Sequence, residues 1–301
     1  YAACARTTRR EARNFYYGFA SLPRRQRLAI YALYAFCREA DDCVDSASSM
    51  DALFTPEKSE KPALLLGDAP ADVPSDPRLG IARLRERLAA AADGHPLTSG
   101  DLALADAIER FGVSPDDLAD VITGVEMDLT RTRYATFDDL RDYCYHVASA
   151  VGLATLPILN AGVPPTDAMR EHAIDLGLGM QLINVLRDVA EDLERDRVYL
   201  PQEDLVRFGV DQAALVRREM TEPLRLLLAF QAARAVECLD RGRRLLPHLP
   251  RRGRACPWLL AEIYGRVLQR LIRADYDVFA ARVSVSKWAK LGLLVSARWR
   301  A

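Results

Sequence analysis

Apolar residues recur at intervals of three and four along most of the chain. The sets Leu28-Tyr31-Ala32-Ala35-Phe36, Leu102-Leu104-Ala105-Ile108-Phe111 and Leu224-Leu227-Leu228-Gln231-Ala235-Leu239 each mark one helical stripe, with charges between their members. Alternating strand patterns are nearly absent, so the pattern predicts an all-α protein. Leu22-Pro23 leads into a long helix, and Ser114-Pro115-Asp116-Asp117 and Thr136-Phe137-Asp138-Asp139 read as helix starts. Pro164-Pro165-Thr166-Asp167 separates two helices, and Pro247-His248-Leu249-Pro250 closes a third. Residues 46–77 carry five prolines and no sustained period, which predicts a surface excursion, either a lid or a disordered insert, rather than a second domain. The chain thus reads as one domain over 1–301.

Between Asp142 and Asp167 no residue carries a full charge, long enough to raise the question of a membrane span. His146, Ser149, Gly152, Pro157, Asn160 and the Pro164-Pro165 pair make the stretch polar and broken, so a helix buried in a large helical protein fits better. The opening YAACARTTRREARNF has Arg and Glu where a secretory signal needs a continuous apolar segment. A cytoplasmic location is expected. Lys287–Leu294 is basic and amphipathic; core packing is the favoured reading, and weak peripheral contact with a membrane surface is the alternative.

The 301 residues suffice for a large core, and 41 Lys+Arg against 42 Asp+Glu give a formal net charge of −1. Bulk electrostatics therefore do not draw the chain to nucleic acid, and any bound anion needs a local basic site. Six cysteines without a CxxC or paired spacing argue against a disulfide framework or a zinc site.

Two acidic clusters stand out against this background. Asp41 and Asp45, in Asp41-Asp42-Cys43-Val44-Asp45, are one helical turn apart and share a face, with Glu39 off that face and toward solvent. Asn184, Asp188 and Asp192 follow at four-residue steps along a helix apolar over most of its circumference. Buried carboxylates need compensation, because taking such a charge out of water costs several kcal/mol. Salt bridges to Arg187 or Arg195 are one form of it. A divalent cation shared with a substrate phosphate is the other, and Mg²⁺ suits this role through its preference for one or two carboxylates plus phosphate. Arg38 and Arg187 flank the clusters and can grip phosphate in bidentate fashion. Two such helices facing each other would set an anionic head at the rim of an apolar cavity, as a prenyl diphosphate requires.

Residues 15–45 (FYYGFASLPRRQRLAIYALYAFCREADDCVD) and 179–201 (GMQLINVLRDVAEDLERDRVYLP) resemble the two signature regions of the squalene/phytoene synthase family. Residues 143–152 (YCYHVASAVG) resemble its central helix, and 275–291 (DYDVFAARVSVSKWAKL) its C-terminal end. NFYYGF, GVEMDLTRTRY and YCYHVASAVGL look most like bacterial presqualene diphosphate synthases of hopanoid pathways, whereas INVLRDVAEDLERDRVYLP is equally similar to phytoene synthases.

The resemblance implies a single isoprenoid-synthase-type helical bundle around a central apolar cavity. It implies a Mg²⁺-dependent enzyme, with Mn²⁺ as a substitute, that condenses two prenyl diphosphates head to head. Metal and arginine neutralise the leaving diphosphate, an allylic C–O bond ionises, and the 2,3-double bond of the second substrate captures the cation to give a cyclopropyl intermediate. Asp41, Asp45, Asp188 and Asp192 match the family's metal-holding aspartates, joined at the metal by Asn184. Gln181, Asn184, Arg38 and Arg187 match substrate contacts; Tyr34, Tyr143 and Tyr199 match tyrosines facing the diphosphates or the cation, with Tyr143 placed among the catalytic groups. Val147, Val151 and Gly152 match the tail-pocket wall. Asn14 falls on a first-helix diphosphate contact, although Glu11 and Asn14 stand where some relatives carry His and Ser.

Two farnesyl diphosphates giving presqualene diphosphate, with NADPH needed only if the reaction runs on to squalene, is the first reading of the substrate. Two geranylgeranyl diphosphates giving phytoene is the alternative. A monomer or weak homodimer is expected. DDCVD also satisfies DDxxD, which admits a head-to-tail prenyltransferase or terpene cyclase, but the second cluster lacks the Ser/Thr and Glu of the usual cyclase triad. A non-catalytic assembly factor of the same fold would be expected to have lost the carboxylates, and all four are present.

Overall fold

The computed structural model describes residues 1–11, 19, 22–44, 76–280 and 293. Its helices are α1 (Ala2–Glu11), α2 (Arg24–Val44), α3 (Pro77–Ala92), α4 (Ser99–Phe111), α5 (Pro115–Met127), α6 (Phe137–Cys144), α7 (Ala150–Leu159), α8 (Asp167–Arg187), α9 (Val189–Glu194), α10 (Gln202–Arg207), α11 (Gln212–Val216), α12 (Glu222–Arg243) and α13 (Arg251–Arg273). Among the described residues extended pairing is limited to an isolated bridge between Arg133 and Val198. The fold is all-α.

Starts are set by side chains that satisfy the first free N–H groups. Thr98 and Asp101 form a reciprocal capping box on α4, and Thr136 and Asp139 another on α6. Ser114 caps α5 ahead of Pro115 at the first turn. The 46–77 excursion lies outside the described residues except at its end, where Pro77 already begins α3 behind an Asp76 cap.

Between α6 and α7 the chain stays helical but widens into a π turn over Tyr145–Ser149. Its closing bond runs from the Ala150 N–H to the Tyr145 carbonyl, one residue longer than an α bond. Two glycines let neighbouring helices close on this turn. A Cβ on Gly124 of α5 would sit 2.8 Å from the His146 carbonyl carbon, and one on Gly177 of α8 would sit 2.6 Å from the Ser149 Cα.

The bundle has two distinguishable ends. The Gln26 side chain near the start of α2 donates to the Ile158 carbonyl at the end of α7 (2.7 Å), and Gly253 near the start of α13 abuts the Leu159 carbonyl. A short loop joins the end of α7 to the start of α8. Helices α2 and α8, 21 residues each, therefore run from this end to the opposite one, about 30 Å away. Both reach that far end with their acidic clusters.

Glu39 departs from its sequence-based expectation. It is not turned to solvent but forms a partly buried network with Arg87, whose Nη2 also meets Asp101 at 2.7 Å. Burial of Asp101 on the facing helix draws the arginine in, and Glu39 follows. All six cysteines are free thiols. No described helix is long and apolar enough to cross a membrane. Of Lys287–Leu294 only Leu293 is described, and it is buried in the core.

Candidate active site

An apolar cavity runs between α2, α7, α8 and α13. Tyr34 and Cys37 face it from α2, Val151 and Gly152 from α7, Gly177 and Met180 from α8, and Tyr264 from α13. Tyr34, Val151 and Gly152 were expected at the substrate. Val147, expected in the same wall, is instead buried against Gly124, because the π turn rotates it toward α5.

At the far end of α2, Arg38 is 8% exposed and reaches Asp42 at 3.0 Å and Asp41 at 4.0 Å. Asp41 is half-buried here, while Asp45 and Asn14 lie outside the described residues. At the far end of α8 the helix breaks. Asp188 leaves helical geometry (φ −103°, ψ 11°), so the stripe of Asn184, Asp188 and Asp192 bends across a junction rather than running straight. Backbone bonds from Asp188 N–H to Asn184 and from Asp192 N–H to Asp188, both 2.9 Å, keep the three residues stacked despite the bend.

The three differ in how they are satisfied. Asp188 is paired with the buried Arg187, whose Nε donates at 2.8 Å, so one form of compensation expected from sequence is present. The Asn184 amide donates to Gln181 Oε1 (3.1 Å), yet its own Oδ1 is buried and meets no donor among the described residues. Burial and the Asp188 charge push the Asp192 carboxyl up to about 8 against the pull of Arg195 and Arg197. An acceptor without a donor and a carboxylate destabilised by its neighbour are what a bound cation relieves, so a divalent ion fits this donor set. Among the described residues no three His, Cys, Asp or Glu side chains converge on one point.

Three residues outside the expected set belong to the same region. Tyr264 lies beside Arg187 and Asn184, its hydroxyl pushed up to about 12 by burial. Asp128 at the end of α5 accepts the Tyr143 hydroxyl at 3.0 Å, and Tyr134 packs on both Tyr143 and Tyr199, with centroids 5.3 and 5.6 Å apart. Tyr143 and Tyr199 are themselves stacked at 5.3 Å. The Met127-Asp128 pair within GVEMD was the one sequence signal for this cluster. Helix packing is the favoured sequence reading of that pair, and an additional polar wall the alternative.

Carboxylates and arginines at one end of an apolar chamber, on helices that span the molecule, suit a ligand with a charged head and a hydrocarbon tail. The chain belongs to the squalene/phytoene synthase family, whose profile matches residues 8–289. Members of this family are prenyltransferases that join prenyl diphosphates head to head with a divalent metal, which sets aside the cyclase and head-to-tail readings. The chain is 34% identical to a phytoene synthase of Arthrospira platensis, over 100% of this chain and 93% of that one. It is 33% identical to a 15-cis-phytoene synthase of Synechococcus elongatus with the same coverage. Among solved structures it is similar to a ligand complex of a dehydrosqualene synthase (TM-score 0.81, 29% identity, 99% and 95% of the two chains). It is also similar to the squalene synthase HpnC from Alicyclobacillus acidocaldarius (TM-score 0.76, 26% identity, 91% and 94%).

Proposed function

We propose that the protein condenses two farnesyl diphosphates head to head in the presence of Mg²⁺, with presqualene diphosphate as the first product. The observation that carries this reading is the apolar cavity bounded by α2 and α8, each ending in carboxylate and arginine. Asn184, Asp188 and Asp192 would hold Mg²⁺ on one side, and Asp41 with Asp45 on the other. Bound there, the ion supplies charge neutralisation of the leaving diphosphate. Arg38 and Arg187 add fixed positive charge to the same group, and Gln181 holds the Asn184 amide in place. Tyr34, Val151, Gly152 and Met180 enclose the hydrocarbon and keep water from the cation. The faces of Tyr143 and Tyr199 offer electron density to positive charge.

Two structural neighbours named for dehydrosqualene and squalene favour farnesyl diphosphate. The second reading, two geranylgeranyl diphosphates to phytoene, is favoured by whole-chain relatives named phytoene synthases. Pure protein incubated separately with each diphosphate and Mg²⁺, with and without NADPH, tests both by mass spectrometry of the lipid extract. Presqualene diphosphate supports the first reading, and phytoene the second. Squalene formed only with NADPH extends the first. Turnover that survives EDTA contradicts the metal's role.

A further inference from the structure

Asp128 is 6% exposed, lies beyond the last turn of α5 and lines no part of the apolar cavity. A carboxylate confined to helix packing is a poor choice there, because an apolar residue of similar volume is often equally stable or more so. Its contacts are specific. Oδ1 accepts the Tyr143 hydroxyl at 3.0 Å and lies 3.5 Å from the Tyr199 hydroxyl. Arg197 approaches the same oxygen at 3.8 Å, donates through Nη2 to the Asp128 carbonyl at 3.1 Å and through Nη1 to the Tyr199 hydroxyl at 3.3 Å. The Arg197 backbone N–H in turn donates to the Asp192 carbonyl at 2.9 Å. One buried carboxylate thus joins the end of α5, the end of α6 and the strap after α9 to the second acidic cluster.

We propose that Asp128 is a positioning residue of the condensation, acting through Tyr143. By accepting the Tyr143 hydroxyl it fixes the phenol's rotation within the Tyr134–Tyr143–Tyr199 stack. It also draws the O–H proton toward itself without removing it, so the ring and oxygen carry more electron density toward a cationic intermediate. Arg197 holds the carboxylate in place and offsets its burial. The inference rests on the condensation reading above, in which Tyr143 faces the cation.

The test is a double-mutant cycle on the full-length chain, with wild-type turnover measured first. Asp128→Asn keeps an acceptor but loses the charge, and is expected to lower kcat about 10²-fold with KM and the Mg²⁺ requirement within about twofold. In a Tyr143→Phe background the same change is expected to add almost nothing, because the effect passes through the missing hydroxyl. Asp128→Ser, smaller and uncharged, is expected to behave as Asp128→Asn does. Unchanged kcat in Asp128→Asn, or effects that multiply in the double variant, overturns the inference. So does failure of both Asp128 variants to fold, which makes the residue structural. An active wild type with an indifferent Asp128→Asn rejects this inference alone, whereas an inactive wild type rejects the condensation reading and this inference with it.

Discussion

Arg187 and Asp188 are both buried and face each other at the break between α8 and α9. Asp188→Asn keeps an acceptor for the guanidinium while removing the negative charge that a metal needs. Turnover should fall below detection while the helical circular-dichroism signal stays at its wild-type level, and substantial activity in this variant would remove Asp188 from the metal site. Asp192 carries a pH signature. Its carboxyl is raised to about 8, so below that pH a cation must displace a proton, and above it the ligand is already ionised. Affinity for Mg²⁺ with inorganic diphosphate should therefore rise from pH 6.5 to pH 8.5. Calorimetry in buffers of different ionisation enthalpy should show proton release at the lower pH and little at the higher. The carboxylates of both clusters were legible in the sequence because charges in apolar surroundings break a pattern. Tyr134 and Tyr264 were not, and for Asp128 the sequence favoured a packing role over a polar wall. Tyr143 and Tyr199 stand 15 and 71 residues from Asp128, and no spacing rule links side chains across such separations.

Helix starts were partly legible, since Ser114 and Thr136 cap where the local pattern of Ser/Thr, Pro and acid predicts, and Thr166 caps α8 at the break read from Pro164-Pro165. The interruptions were not. The π turn at Tyr145–Ser149 and the break at Asp188 sit inside stretches whose apolar residues are continuous with the helices on either side, so periodicity passes through them unmarked. What fixes them is close packing. Gly177 is the clearest case, because its missing side chain is the space that Ser149 occupies. Gly177→Ala should cost about 1–3 kcal/mol as the helices are forced apart, read as a lower midpoint in urea with an unchanged slope. A variant as stable as the wild type would mean that the two helices separate freely.

On the scale of the whole molecule, the charged end of α2 and α8 was legible from the acidic clusters, whereas the depth of the chamber depends on residues contributed from distant helices. Cys256, buried on α13 near the end opposite the carboxylates, lines the cavity and lies four residues before Leu260 on the same wall. Cys256→Phe shortens the space for a tail without touching the polar end. It should raise the ratio of farnesyl to geranylgeranyl turnover by at least about tenfold, measured by competition between the two diphosphates. An unchanged ratio would place the length limit elsewhere. The π turn carries a consequence of another kind. Tyr143 and Val151 belong to one unbroken rod whose head serves the charged chemistry and whose shaft serves the greasy tail, and a single surplus residue sets the angle between them. Forcing those five residues into ordinary α geometry at unchanged length would swing Val151 and Gly152 by about 100°, leaving both halves intact yet aimed at different rooms.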